Sequence, residues 1–369
     1  MERKNRYLTT GILSTIIIFG AGLQLNAILM VSADWGMIPI LPVSIFEPGQ
    51  KAIVAWNGEK EILILSADVT SNANTTVLQI MPLPSNPTKI EEASTGSFDA
   101  IQDLIEFRMP IPWSDVYWGN QTDLVEVVFH EQIGMHDIIV VEAYDVSEFA
   151  EWMNEFLVKN GINGQVTLED MAPIIEDYMA RSFHFYVLDL IDTSSEEKSV
   201  EPILYEFNTD FLYYPLLITS PIGGDGKITL FLITRHIINY GYPPLTKAQY
   251  YVEEFAGLLE FEMFKEELFY IDSRIGELFE DAAWMTVLVY DGPLSTLTKD
   301  LVIITITGDL NFDGVVNIND IAVAASAFGS HPGHPRWNPV ADVLQDERVD
   351  IRDLTLIALE FGTTYTQKT

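Results

Sequence analysis

One twelve-residue segment near the C-terminus constrains this chain more than any other feature. Oxygen-bearing side chains stand at its positions 1, 3, 5, 9 and 12: Asp309, Asn311, Asp313, Asn317 and Asp320. Gly314 occupies position 6, where the chain must turn sharply, and Val315 can offer its backbone carbonyl at position 7. Calcium takes six to eight oxygen ligands, and this alternation points successive oxygens toward one ion. The segment, called loop 1 (residues 309–320), is therefore predicted to bind Ca²⁺.

The pattern returns 33 residues later in loop 2 (residues 342–353). Its candidate ligands are the side chains of Asp342, Asp346, Asp350 and Asp353 and the backbone carbonyl of Arg348. Leu344 replaces an oxygen ligand at position 3, and Glu347 stands where loop 1 has glycine. A residue with a Cβ in left-handed geometry costs on the order of 1 kcal/mol. A duplicate in register indicates a true internal repeat, with one good calcium site and one that is weak or metal-free.

Each loop leads into an apolar helical run, and the first, at residues 321–328, is followed by Gly329. Residues 301–307 are β-branched and strand-like, so the pattern predicts loop–helix units without an incoming helix. The tandem over about residues 308–362 resembles type I dockerin domains. This resemblance implies a small all-α module in which two calcium ions order two antiparallel units that dock on a cohesin module of another protein. It also implies that loop positions 10 and 11 contact that partner: Ile318, Asn319, Ile351 and Arg352.

Residues 34–307 predict an α+β domain of mixed and antiparallel strands with several helices. Asn57-Gly58 between two apolar runs predicts a type I′ hairpin turn, and residues 97–107 have helical spacing. Residues 250–270 are expected to be helical as well. Their acids are then the solvated face of that helix: Glu253, Glu254, Glu260, Glu262, Glu266 and Glu267.

The sequence of this body contains no recognisable catalytic, metal-binding or phosphate-binding motif. His130-Glu131 and His136 do not have the i, i+4 spacing of a metalloprotease helix, and Ile228 follows Gly226-Lys227 where a phosphate-binding loop needs Ser or Thr. The segment from Glu47 to Gly58, the Met81-Pro-Leu-Pro strand end and the Phe207-Asn-Thr-Asp stretch resemble an uncharacterised family of secreted proteins. That family brings no catalytic residues.

The N-terminus predicts export. Residues 1–6 are basic, residues 7–31 are largely apolar, and Val31-Ser32-Ala33 fits a signal-peptidase site. We expect residues 1–33 to be a signal peptide or, alternatively, a membrane anchor that leaves the chain extracellular or at the cell surface. Residues 363–369 form a short tail.

The net charge and the absence of cysteine exclude several classes of function for this protein. The formal net charge is −34, which excludes nucleic-acid binding because phosphate contacts need clustered Lys and Arg. Cysteine is absent, which excludes thiol catalysis and Cys-based zinc sites. We expect an exported, non-catalytic protein docked by its C-terminus to a cohesin-type partner. The alternative is a dockerin-bearing hydrolase acting on polysaccharide, whose paired carboxyl groups the sequence alone cannot identify.

Overall fold

The computed structural model describes residues 36–39, 45–46, 50–71, 75–108, 136–159, 161–162, 168, 171–193, 198–199, 202–222, 224–238, 242–252, 255–304, 306–311, 313–344 and 346–364. The expected signal segment and the His130-Glu131 pair lie outside these residues. Among the described residues, no helix has the length and apolar character needed to cross a bilayer.

The described chain contains eighteen strands and seven α-helices, so the predicted α+β class is confirmed. The strands are β1 (Gly36–Pro39), β2 (Ile45–Phe46), β3 (Gln50–Trp56), β4 (Lys60–Ser71), β5 (Thr75–Leu83), β6 (Lys89–Glu92), β7 (His136–Glu142), β8 (Phe185–Thr193), β9 (Lys198–Ser199), β10 (Ile203–Asn208), β11 (Phe211–Tyr214), β12 (Asp225–Thr234), β13 (Thr246–Lys247), β14 (Gln249–Val252), β15 (Phe255–Leu258), β16 (Glu260–Met263), β17 (Ala283–Pro293) and β18 (Leu301–Ile304). The helices are α1 (Gly96–Arg108), α2 (Val146–Lys159), α3 (Ala172–Ala180), α4 (Lys265–Ile271), α5 (Ser273–Leu278), α6 (Ile318–Ala327) and α7 (Ile351–Leu359).

A sheet of ten described strands organises the body, with the central order β13-β17-β12-β3-β4-β10-β6. Its pairs are antiparallel except for β3 and β12, which run parallel with Gln50 opposite Ile228. The centre of the sheet is buried on both faces, which explains why β3 and β12 are nearly continuous aliphatic runs. A second, antiparallel sheet has the order β1-β5-β8-β7.

The two faces of the large sheet pack against different layers. Ala52 and Val54 of β3 belong to a core shared with the four-stranded sheet, α2 and α3. Ile53 and Ala55 belong to a core shared with α1, α4 and α5. Successive side chains of a strand point to opposite faces, so β3 divides these two cores.

The predicted helix at residues 250–270 is wrong. The structure has strands β14, β15 and β16 there, and α4 begins only at Lys265. Glu260 and Glu262 alternate with the buried Phe261 and Met263, which is the two-residue period of a strand. Gly257 faces Tyr250 across the β14–β15 pair, and a Cβ at Gly257 would lie 2.5 Å from that ring. Of the acids predicted to line this helix that the structure describes, Glu266 and Glu267 lie on a helix, α4, whereas Glu260 and Glu262 lie on β16.

The Asn57-Gly58 hairpin is confirmed, but its turn type is not. A type I′ turn needs positive φ at two successive residues, whereas only Gly58 has positive φ here, at +99°. Asn57 instead stabilises the turn with its side chain, whose Oδ1 accepts hydrogen bonds from the backbone N–H of Glu59 and Lys60.

Glu61 of β4 gives the body a pH-dependent stability. Its side chain is fully buried, and Oε2 accepts a hydrogen bond from the Tyr213 N–H at 2.7 Å. Burial raises the pKa of Glu61 well above its usual value, although the Tyr213 N–H opposes this. Its contribution to stability is therefore present below the unfolded-state pKa and is lost as pH rises through the folded-state pKa.

We expect Glu61→Gln to be more stable than the wild type at alkaline pH and about equal to it near pH 3, where the carboxyl is protonated in both states. Urea unfolding across this pH range measures the difference. The exposed neighbour variant Glu59→Gln is the control and should show no such divergence. A Glu61→Gln protein that is less stable at every pH would contradict the expectation.

Candidate metal centre

Loop 1 is held in shape by two buried aspartates at its ends. Asp320, on the first turn of α6, is fully buried and accepts backbone hydrogen bonds from Leu310 and Asn311 through Oδ1 and from Asn317 through Oδ2. Asp309 is 5% exposed and accepts from the N–H groups of Asp313 and Gly314. The carboxylates at positions 1 and 12 thus already face the inside of the loop.

The remaining predicted ligands of loop 1 lie on the same turn. Asn311 Nδ2 donates to Asp313 Oδ2 at 2.8 Å, and Asn317 Nδ2 donates to the carbonyl oxygen of Val315 at 3.0 Å. Gly314 has φ +83°, the left-handed geometry that the sequence predicted at position 6. Hydrogen bonds therefore link the six predicted loop 1 ligand residues to one another in series.

This donor set fits calcium better than a transition metal. It consists of carboxylate, amide and backbone carbonyl oxygens, which hard cations prefer. Within the described ranges, no three His, Asp or Glu side chains form a ready-made metal cluster. In loop 1 only three of the six predicted ligands are acidic, and their oxygens are engaged by loop amides. Burial raises the pKa of Asp309, the charges of Asp320 and Asp313 add to this, and the N–H groups of Gly314 and Asp313 oppose it.

The hydrogen bonds to the backbone of loop 2 repeat those of loop 1 at equivalent positions. Asp342 accepts from the N–H groups of Asp346 and Glu347, in register with the bonds that Asp309 makes. Asp353 is fully buried and accepts from Leu344 and Asp350, in register with two of the bonds to Asp320. Glu347 has φ +62°, so this residue takes the left-handed conformation that glycine takes in loop 1.

Backbone hydrogen bonds cross between the two units in a reciprocal pattern. Val316 of loop 1 bonds to Gly362 and Thr363, just after α7. Val349 of loop 2 bonds in the same way to Gly329 and Ser330, just after α6. Both valines are buried in a small core that also includes Ala324 and Ile357. Each loop is consequently fastened to the end of the other unit's helix.

Loop 2 differs from loop 1 in one charged contact. The guanidinium of Arg352 lies between two predicted ligands, with Nη2 2.5 Å from Asp346 Oδ2 and 2.8 Å from Asp350 Oδ2. Side-chain and backbone hydrogen bonds from Arg352 lower the pKa of Asp350 to about 2. The sequence patterns did not reveal this contact, because position 11 was interpreted only as a partner-contacting position.

The predicted partner-contacting residues lie on the outside of the helices. Ile318 and Ile351 begin α6 and α7 and are each 64% exposed, which is unusual for isoleucine. Asn319 and Arg352 are exposed beside them. The structure thus presents these four positions to solvent as two equivalent pairs.

A cavity of about 240 Å³ lies where the β3–β4 turn, the end of β12 and β18 meet the start of loop 1. Its wall includes Trp56, His236 and two carboxyl groups, Glu59 and Asp309. Burial and the charge of Arg235 lower the pKa of His236 to about 4, so that ring is neutral at pH 7. Both Asp309 oxygens already accept hydrogen bonds from N–H groups of loop 1. The cavity therefore does not favour Glu59 and Asp309 as a catalytic acid–base pair, and the hydrolase alternative stays a prediction.

Comparison with known proteins shows no family. A scan of protein-family models and a search of curated proteins give no match. Among solved structures, baculovirus P35 is 10% identical with a TM-score of 0.36, covering 72% of this chain and 98% of that chain. A mutated baculovirus P35 after caspase cleavage has the same identity and TM-score, covering 70% of this chain and 99% of that chain. The caspase-8/P35 complex gives a TM-score of 0.34 at 10% identity, covering 70% of this chain and 96% of that chain. At this level of similarity, the comparisons show neither a family nor a function for this chain.

Proposed function

We propose that residues 308–362 form an all-α, dockerin-like module that binds Ca²⁺ in loop 1 and docks the protein on a cohesin-type partner. The observation that carries this proposal is the hydrogen-bond register of the two loops. Both close around buried aspartates at positions 1 and 12, and loop 1 adds a complete set of oxygen ligands. The exposed Ile318 and Ile351 supply apolar contacts to the docking face.

In the same proposal, residues 1–33 export the chain, as a signal peptide or as an anchor. The α+β body is then a binding or structural component presented outside the cell. The strongly acidic composition suits a partner surface that carries basic residues. No described contact assigns chemistry to the body, so docking is the function proposed for the whole protein.

Calcium calorimetry on the full chain tests the metal part of this proposal. We expect one tight binding event per chain, because only loop 1 has an oxygen side chain at position 3 and glycine at position 6. Two equal tight events would contradict the asymmetry between the loops, and no event would overturn calcium binding itself.

Retention on an immobilised type I cohesin module tests the docking part. The full chain should be retained in calcium and released by EGTA. A double variant at the docking face, Ile318→Asp with Ile351→Asp, should lose retention while keeping the calorimetric event, since both side chains are exposed. If the wild type passes through the column in calcium, the cohesin-docking proposal fails, whatever the calorimetry shows.

A further inference from the structure

Arg352 connects carboxylates that a metal ion would otherwise bridge. It stands in the first turn of α7 at loop position 11, while Asp346 and Asp350 stand at positions 5 and 9. Besides its two Nη2 contacts, its Nε donates to Asp350 at 3.1 and 3.2 Å. The guanidinium therefore holds Asp350 through two nitrogens and reaches Asp346 with one of them.

Loop 1 has no corresponding contact. Position 11 is Asn319 and position 9 is the neutral Asn317, so no side-chain cation neutralises Asp313 from within the loop. Loop 2 has two more acids than loop 1 and also two arginines, so both twelve-residue spans carry a formal charge of −3. The extra acids of loop 2 are thus offset by cations of its own.

We infer that Arg352 is the built-in cation of loop 2, bridging Asp346 and Asp350 where calcium would bridge them and excluding the ion from this loop. Arg352 is in this sense a specificity-determining residue for the calcium binding proposed above, and the inference rests on that proposed function. Loop 2 then keeps its shape without metal.

A loop 2 that is ordered without metal supports loop 1 in this fold. Val349 of loop 2 holds Gly329 and Ser330 at the end of α6. Asn317, the position 9 ligand of loop 1, caps the start of α6, and this helix carries the position 12 ligand, Asp320. A clamped loop 2 therefore keeps the helix of loop 1 in place before calcium arrives. The guanidinium performs this clamping without the ion, because arginine stays charged.

The test compares Arg352→Gln with Arg336→Gln in the full chain. Arg336 is exposed and lies between the two loops, outside both, so it matches the charge change without altering a predicted calcium site. In calcium calorimetry, Arg352→Gln should add a second event at least about tenfold tighter than any second event of the wild type, since Asp346 and Asp350 then lack the guanidinium that bridges them. In EGTA, Arg352→Gln should melt below the wild type, and saturating calcium should restore it. Arg336→Gln should behave as the wild type in both experiments.

Each outcome decides the inference. If Arg352→Gln equals Arg336→Gln in stoichiometry and in EGTA melting, the inference is overturned. It also fails if the lower melting persists in calcium without a second event, because Arg352 is then merely structural. A wild type that binds no calcium would instead defeat the proposed function. The comparison of the two variants in EGTA would still report whether Arg352 clamps loop 2.

Discussion

Asp320→Ala should weaken the tight calcium event by on the order of 100-fold or abolish it. Asp320 is fully buried, and in the loop its two oxygens organise three backbone N–H groups. Alanine removes both the position 12 ligand and the acceptor for those donors, and each buried donor left unpaired costs about 1–3 kcal/mol. Calorimetry on the full chain gives the affinity, and thermal melting in EGTA gives the loss of stability without the ion.

Asp353→Ala is the matched control for this experiment. Asp353 occupies the same position of loop 2, is equally buried, and accepts two backbone hydrogen bonds. Its loss should lower the melting temperature in EGTA by a similar amount yet leave the tight calcium event in place. If the two variants lose calcium binding equally, loop 1 is not the tight site.

Asp300→Ala should cost the body about 3–5 kcal/mol of unfolding free energy, the usual result of breaking a buried ion pair by removing one partner. The Asp300 side chain is fully buried and accepts hydrogen bonds from Tyr178 at 2.6 Å, from the Leu217 N–H at 2.9 Å and from Arg181 at 3.0 Å. Burial raises its pKa, although Arg181 and these donors oppose the rise. The variant leaves the Arg181 guanidinium without this carboxylate, stacked 4.6 Å from the Tyr178 ring centre.

Denaturant unfolding of the full chain measures that cost, and Asp291→Ala is its control. Asp291 pairs with Lys227 at 3.5 Å, but its side chain is 71% exposed, and such surface pairs contribute about 1 kcal/mol or less. Equal destabilisation by the two variants would show that Asp300 is not the anchor that ties α3 to the chain before β18.

Much of the fold was predictable from local patterns. The runs that became β3, β4, β5, β8, β12 and β17 are aliphatic and bounded by turn residues, and α1 has helical spacing. The error at residues 250–270 arose because alternating acids beside Phe261 and Met263 also satisfy short stretches of a helical pattern. The parallel pairing of β3 with β12 was not predictable, because no local residue specifies a partner so distant along the chain.

The candidate metal centre, too, was only partly predictable from the sequence. The ligand positions of loop 1 follow from spacing alone, and the structure links these residues by hydrogen bonds. The Arg352 bridge depends on where a long side chain folds back onto its own loop, which spacing does not encode. The crossed bonds of Val316 and Val349 were missed for a related reason, since backbone pairing between repeats leaves no residue-type signature.

The parallel pairing of β3 with β12 also determines when the strands of the large sheet can pair during folding. In a chain that emerges N-terminus first, β3 and β4 can pair early, but the free edge of β3 stays open until every strand from β5 to β11 has emerged. An open edge of buried aliphatic residues is a ready site for intermolecular pairing. The edge of β3 is therefore covered only once the chain has emerged as far as Thr234, and folding should be slow and vulnerable to aggregation until then.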